Sequence, residues 1–136
     1  MKVDWLILAD AAQVVGNKLF LLGGGWDVIT LQAPPPVVHR AAVAVGIRVG
    51  WHETNRKHSM ELEVVHDDGA VLATLNGEIQ VAQPPDAMPG QDQRIQFAAN
   101  LDLNIAEPGG YALVARINGR EEDRSPFRVV VAQQAS

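Results

Sequence analysis

The chain has 136 residues, 47% hydrophobic and 20% charged, with a formal net charge of −5 at pH 7. That balance excludes disorder, which needs low hydrophobicity and high net charge, and the length suits one domain that buries a core without covalent staples. The negative charge argues against nucleic acid and anionic membranes as partners. The lack of cysteine removes disulfides, thiol nucleophiles and cysteine zinc sites together and fits a cytoplasmic address.

The best basic cluster, Arg56-Lys57-His58, follows Glu53 and reads as a solvated loop. The apolar run after Lys2 is interrupted by Asp4 and stopped by Asp10, which is too short for a signal-peptide core and far below the roughly 20 residues of a membrane span. The chain therefore reads as mature protein from Met1. A single domain is expected over 1–132, with a frayed tail from Gln133 to Ser136.

The stretch Val3 to Leu31 organises the rest. Its first strand, about Val3 to Val15, is apolar at both even and odd positions, with Trp5, Ile7 and Ala9 on one face and Leu6 and Leu8 on the other. Because successive side chains point to opposite faces of a strand, this segment wants cover on both sides. Gly16-Asn17 supplies the left-handed backbone of a tight hairpin, and Lys18 to Leu22 returns antiparallel. Gly23-Gly24-Gly25 then interrupts before Trp26 to Leu31, as expected of a kink where a strand crosses between sheets. A phosphate loop is not supported, since neither G-x-x-x-x-G-K-[ST] nor G-x-G-x-x-G is present and no helix follows.

Ala33-Pro34-Pro35-Pro36 is a stiff connector that cannot join a central ladder. The strand Ala41 to Val49 puts Ala41, Val43, Val45, Ile47 and Val49 on one face and Ala42, Ala44, Gly46 and Arg48 on the other. The small-residue face permits close approach of another backbone, from the same chain or from a second subunit. Ala42, Ala44 and Gly46 are therefore the candidate self-association face.

Ser59 to His66, Val71 to Gln83 and the strand carrying Ile95 to Ile105 alternate apolar and polar, with a turn at Asp67-Asp68-Gly69 and a stiff loop from Pro84 to Gly90. The closing unit runs from Glu107-Pro108-Gly109-Gly110-Tyr111 through Ile117, turns at Asn118-Gly119 and ends in a strand from about Glu122 to Val131. It resembles the last strands of immunoglobulin-like sandwiches, where a tyrosine at the start of a strand bonds back to the preceding corner. The expected fold is all-β: a two-sheet antiparallel sandwich, immunoglobulin-like, of seven to eight strands.

Leu-Ala-Asp-Ala-Ala-Gln, then Gly-Asn-Lys-Leu and Gly-Gly-Gly-Trp, all within positions 8 to 27, resemble a family of small bacterial β-sandwich proteins of unknown function, often actinobacterial. Ala11 stands where those proteins often carry tyrosine. The resemblance implies an uncharacterised family and brings no activity, cofactor or catalytic residue.

The chemistry is sparse. His39, His52, His58 and His66 form no H-x-x-x-H or H-E-x-x-H pair and no i, i+2 pair on a strand. His66 with Asp67 and Asp68 offers ligands at a strand end, although a turn of solvated acids explains the same residues. Ser59 and Ser125 lie outside any G-x-S-x-G, so no catalytic, metal or cofactor residue is assigned. Asp10, an acid within an apolar strand, must be paired or at a rim, and capping a backbone group near the glycine kink is favoured over catalysis. If strands run antiparallel in succession, Gly16-Asn17, the Trp51 to Lys57 loop, the Pro84 to Gln91 loop and Asn118-Gly119 share one end. Loops on a rigid scaffold carry binding residues, and Trp51, His52, Arg56, Asp86 and Met88 form the candidate ligand or partner rim. The expected function is a noncatalytic binding or assembly module with a protein partner or a homodimer. The alternative is a hydrolase or metal-dependent enzyme using the rim of residues 51–58 and 84–91.

Overall fold

Apolar and polar residues alternate along most of this chain, and a period of two buries one face of a strand against a second layer. A computed structural model describes residues 1–133; of the expected tail only Gln133 falls among them, and 134–136 lie outside the described residues. Nine strands form: β1 (Lys2–Val15), β2 (Lys18–Gly24), β3 (Val28–Leu31), β4 (Val37–Val49), β5 (His58–His66), β6 (Val71–Ile79), β7 (Gln93–Ile105), β8 (Gly109–Ile117) and β9 (Arg120–Val131). One sheet has the order β2-β1-β4-β7 and the other, curled into a half-barrel, the order β3-β9-β8-β5-β6. Apart from a 3-10 turn at Trp51–Glu53, no helix is present among the described residues.

The two sheets share one buried cluster. Leu8, Val43, Val45 and Ile47 from the first meet Leu62, Val64, Leu113, Phe127 and Val129 from the second. The fold is all-β with two sheets, as the alternation implied, but three finer expectations need correction. Among the described residues there are nine strands rather than seven or eight, because Lys18 to Leu31 is two elements. The pairing is not wholly antiparallel, since β3 runs parallel to β9 from Val28↔Arg128 to Leu31↔Val131. That pair and the curled second sheet depart from an immunoglobulin-like sandwich, although the Tyr111 hydroxyl does donate to the Glu107 carbonyl at the preceding corner.

The glycine kink does move the chain between sheets: β2 lies in the first and β3 in the second. Gly23 and Gly25 take φ of 58° and 88° there, a region that side-chain-bearing residues avoid. Asp10 caps this kink differently from expectation. Its Oδ1 accepts the Trp26 indole N–H at 3.1 Å rather than a backbone group, and a Cβ on Gly23 would lie 2.2 Å from its Oδ2.

β1 changes partner half-way. Lys2 to Ala9 pair with β4, and Ala9 to Val15 pair with β2. The second half leaves the sheet plane and folds back with β2 as a hairpin arm. Lys2 stands opposite Arg48, which stands opposite Arg94, so Arg94 marks the level at which β1 began. At the arm's tip, the Asn17 side chain donates to the Arg94 carbonyl at 2.9 Å and accepts the Gln96 N–H at 3.2 Å, while the Gln96 amide donates to the Asn17 carbonyl at 2.9 Å. Nearer the bend, the Asn100 side chain takes the Ala12 N–H at 3.2 Å and donates to the Ala12 carbonyl at 3.0 Å. The tip has thus returned to the level where the strand started.

This arm answers the demand for cover on both faces. Leu6 and Leu8 face the main core, and Ala9 and Ala12 join Ala42 and Ala44 in a second buried cluster against Ile7, Leu19, Leu21 and Ala98. A Cβ on Gly46 would lie 2.2 Å from the Trp5 ring. The proposed self-association face of Ala42, Ala44 and Gly46 is therefore corrected: these residues are buried within the chain, covered by the arm and by Trp5, and no second copy can reach them.

Candidate functional site

The expected rim is assembled in part. The loops after β4, after β6 and between β8 and β9 meet at one end: the Trp51 carbonyl accepts the Thr54 hydroxyl at 2.8 Å and the Gln83 amide at 3.4 Å, and Asn118 meets His58 and Ser59. Gly16-Asn17 reaches this end too, because the arm folds back. Several backbone carbonyls and the Arg56 side chain hold these loops together. The Arg56 guanidinium donates to the His52 carbonyl, and Glu53 Oε1 accepts the Gly50 N–H at 2.9 Å. Asp86 and Met88 stand exposed in a loop held by local bonds, Ala87 N–H to the Pro84 carbonyl and Met88 N–H to Gln91. A depression of about 260 Å³ at this end is lined by Glu53, Asn118, Arg120 and Glu122, none of which belongs to the five rim residues.

The outer face of the arm is different in kind. Ala11↔Leu22, Gln13↔Phe20 and Val15↔Lys18 are cross-strand pairs, so these six side chains share the face turned away from Ala42 and Ala44. On that face Val15, Phe20 and Leu22 are 53%, 57% and 72% exposed. Beside them Ala11, Phe20 and Leu22 line an open groove of about 800 Å³ that reaches Asn100. Among the described residues β2 pairs only with β1, so its outer backbone edge is unpaired. The sequence did carry a signal for this: Lys18-Leu19-Phe20-Leu21-Leu22 is apolar at both parities, yet Leu19 and Leu21 suffice to cover the small-residue face.

A third grouping lies at the opposite end, where β5 meets the turn after it. His66 Nδ1 is 2.9 Å from Asp68 Oδ1 and 3.9 Å from Glu107 Oε1. The His66 ring packs edge-on to Tyr111 at 4.6 Å. The hydrogen bond to Asp68 holds the imidazole above its ordinary value against the opposing effect of burial, with the charges of Asp68, Glu107 and Asp67 adding to it. Asp68 is held below the usual carboxylate range, first by the Ala70 N–H and then by His66. Burial, then the Glu107 charge, pushes the Tyr111 hydroxyl up. His66, Asp68 and Glu107 offer three ligand atoms within 4.8 Å of one another and are the residues that could hold a metal ion. As they stand, the ring nitrogen is engaged by Asp68, an arrangement that needs no ion. Glu107 escaped the sequence reading because no local spacing links it to His66.

Around Gly46 the Trp5 indole N–H and the Gln96 side-chain oxygen are buried without partners, on the two strands that flank that glycine. Arg94 stacks on the Trp5 ring at 4.6 Å and pairs with Asp4 at 3.0 Å. The Arg94 bond, against an opposing effect of burial, and the Arg48 bond hold the Asp4 carboxyl below its ordinary value.

The family model that matches residues 4–130 is described as a family of unknown function, DUF6941. The chain belongs to DUF6941. The matched span takes in strands of both sheets, the arm and the His66 cluster. No curated protein matches the chain in sequence. Among solved structures it is similar to Pseudomonas fluorescens alkylpurine DNA glycosylase AlkC bound to DNA containing an abasic site analog, at 13% identity and a TM-score of 0.43. That likeness covers 92% of this DUF6941 chain and 30% of the glycosylase; the chain spans under a third of that protein's length, and the score is too low to carry a functional inference.

Proposed function

We propose that this DUF6941 domain is a noncatalytic protein-interaction module whose docking surface is the outer face of the β1–β2 arm. The observation that supports it is the row of Phe20 and Leu22 on the free edge strand β2 with Val15 beside them on β1, each exposed by half or more. Large side chains exposed together on a sheet edge invite pairing with another chain unless charge or proline blocks it. Here the row carries Lys18 at one end and no proline. Protein is the favoured partner over nucleic acid or an anionic membrane, because the patch is apolar and the net charge is −5.

Benzoylphenylalanine in place of Phe20, irradiated in cells that make the protein, tests this. Covalent protein adducts are expected from position 20 and not from Val71, which is equally exposed on the edge strand β6. Equal yields at both positions, or none at position 20, would contradict the reading.

A further inference from the structure

We infer that the partner of the arm is a second copy of this chain, paired through β2 about a twofold axis at Leu21. This deepens the interaction reading above and rests on it. The unpaired edge of β2 presents backbone N–H and C=O groups that need partners. A twofold antiparallel pair centred on Leu21 sets Lys18 opposite Gly24 of the other copy, Phe20 opposite Leu22 and Leu22 opposite Phe20. Positions of the same parity then meet on the same face, so the outward row of one copy continues into that of its neighbour. The most exposed apolar residues of the arm thereby become cross-strand neighbours, and aromatic–aliphatic pairs of this kind stabilise a sheet.

Charge selects this register. Lys18 is exposed on the outer face at the start of β2. Asp10, on the neighbouring β1, is exposed beside the far end of β2, with Oδ2 against Gly23. Within one chain neither forms an ion pair among the described residues, and they sit at opposite ends of the arm, Lys18 beside the tip on β2 and Asp10 at the bend on β1. The twofold brings the Lys18 ammonium of each copy to the Gly23-Gly24 end of the other, where the Asp10 carboxylate stands. One positive and one negative group per copy are satisfied twice, and the Leu21 axis separates the two pairs. A foreign strand would need its own matching charges, whereas a second copy supplies them by symmetry.

Sedimentation velocity on the purified full chain, from low to high micromolar, is the first measurement, and the expected result is a concentration-dependent dimer. Lys18→Asp and Asp10→Lys are each expected to weaken dimerisation at least tenfold, and the double variant to recover most of the loss. Because Asp10 also accepts the Trp26 indole N–H, recovery by the double variant separates lost pairing from a disturbed kink. The chain has no cysteine, so register can be read by disulfide formation: Phe20→Cys mixed with Leu22→Cys is expected to give an oxidised heterodimer, and Phe20→Cys alone is not. A strictly monomeric chain at high micromolar concentration overturns the inference. So does a dimer insensitive to both charge variants, or one in which the mixed cysteines fail to link. If the chain is monomeric yet position 20 still captures other proteins in cells, the self-pairing alone fails and the interaction reading survives; if position 20 captures nothing, both fail.

Discussion

A methyl group added at Gly46 would lie 2.2 Å from Trp5 Cε2, with Gln96 on the neighbouring strand and Arg94 stacked on the indole. Overpacking of this kind costs about 1–3 kcal/mol, so Gly46→Ala is expected to lower the unfolding free energy by that amount in urea titrations and to alter Trp5 emission as the ring is displaced. At the other end of the molecule His66 sets a pH dependence. Its folded pKa lies above its ordinary 6.5 because of Asp68. Its contribution is thus complete below pH 6.5 and is lost as pH rises through the folded value. Asp68 works in the opposite sense: its pKa is lowered from 3.8, so its contribution is present above that and is lost as pH falls through the folded value. Together His66 and Asp68 are expected to stabilise the fold most between those limits. Urea titrations of wild type and His66→Gln across this range should differ most below pH 6.5 and converge at higher pH; a constant difference would show that the His66 charge plays no part.

At the level of elements, the arm is held by side chains from distant sequence: Asn100 binds Ala12 from 88 residues away and Gln96 binds Asn17 from 79. Each such bond contributes about 0.5–1.5 kcal/mol. Asn100→Ala is therefore expected to cost about 1–2 kcal/mol and to speed amide exchange in Ala12 to Leu22 while leaving β8 protected. If β8 exchange rises equally, arm and core open as one unit. The need for cover over β1 was legible in the sequence, because Trp5, Ile7 and Ala9 are as apolar as Leu6 and Leu8. What provides it was not, since the bend at Asp10 and the bonds from Asn100 and Gln96 leave no mark on a periodicity. The choice between the chain's own segment and a second subunit was thus open for Ala42, Ala44 and Gly46, and the arm decides it.

At the scale of the molecule, alternation gave two sheets and one shared core, and the succession of antiparallel strands grouped the loops at 51–57 and 118–119 at one end. It could not give the parallel β3–β9 pair, which depends on where the chain emerges from the glycine kink. In the rim loops the Trp51 and His52 carbonyls take bonds from Thr54, Gln83 and Arg56 and tie the loops to one another. The arm is covered on its inner face and bare on its outer one. Carbene footprinting of the purified chain over a range of concentrations tests this most directly. The expected result is labelling of Val15, Phe20 and Leu22 in dilute solution, with Ala42 and Ala44 protected throughout, and loss of the Phe20 and Leu22 signal at high concentration while Val71 and Met88 stay constant. Labelling of Ala42 and Ala44 in dilute solution, or a Phe20 signal that does not change with concentration, would contradict it.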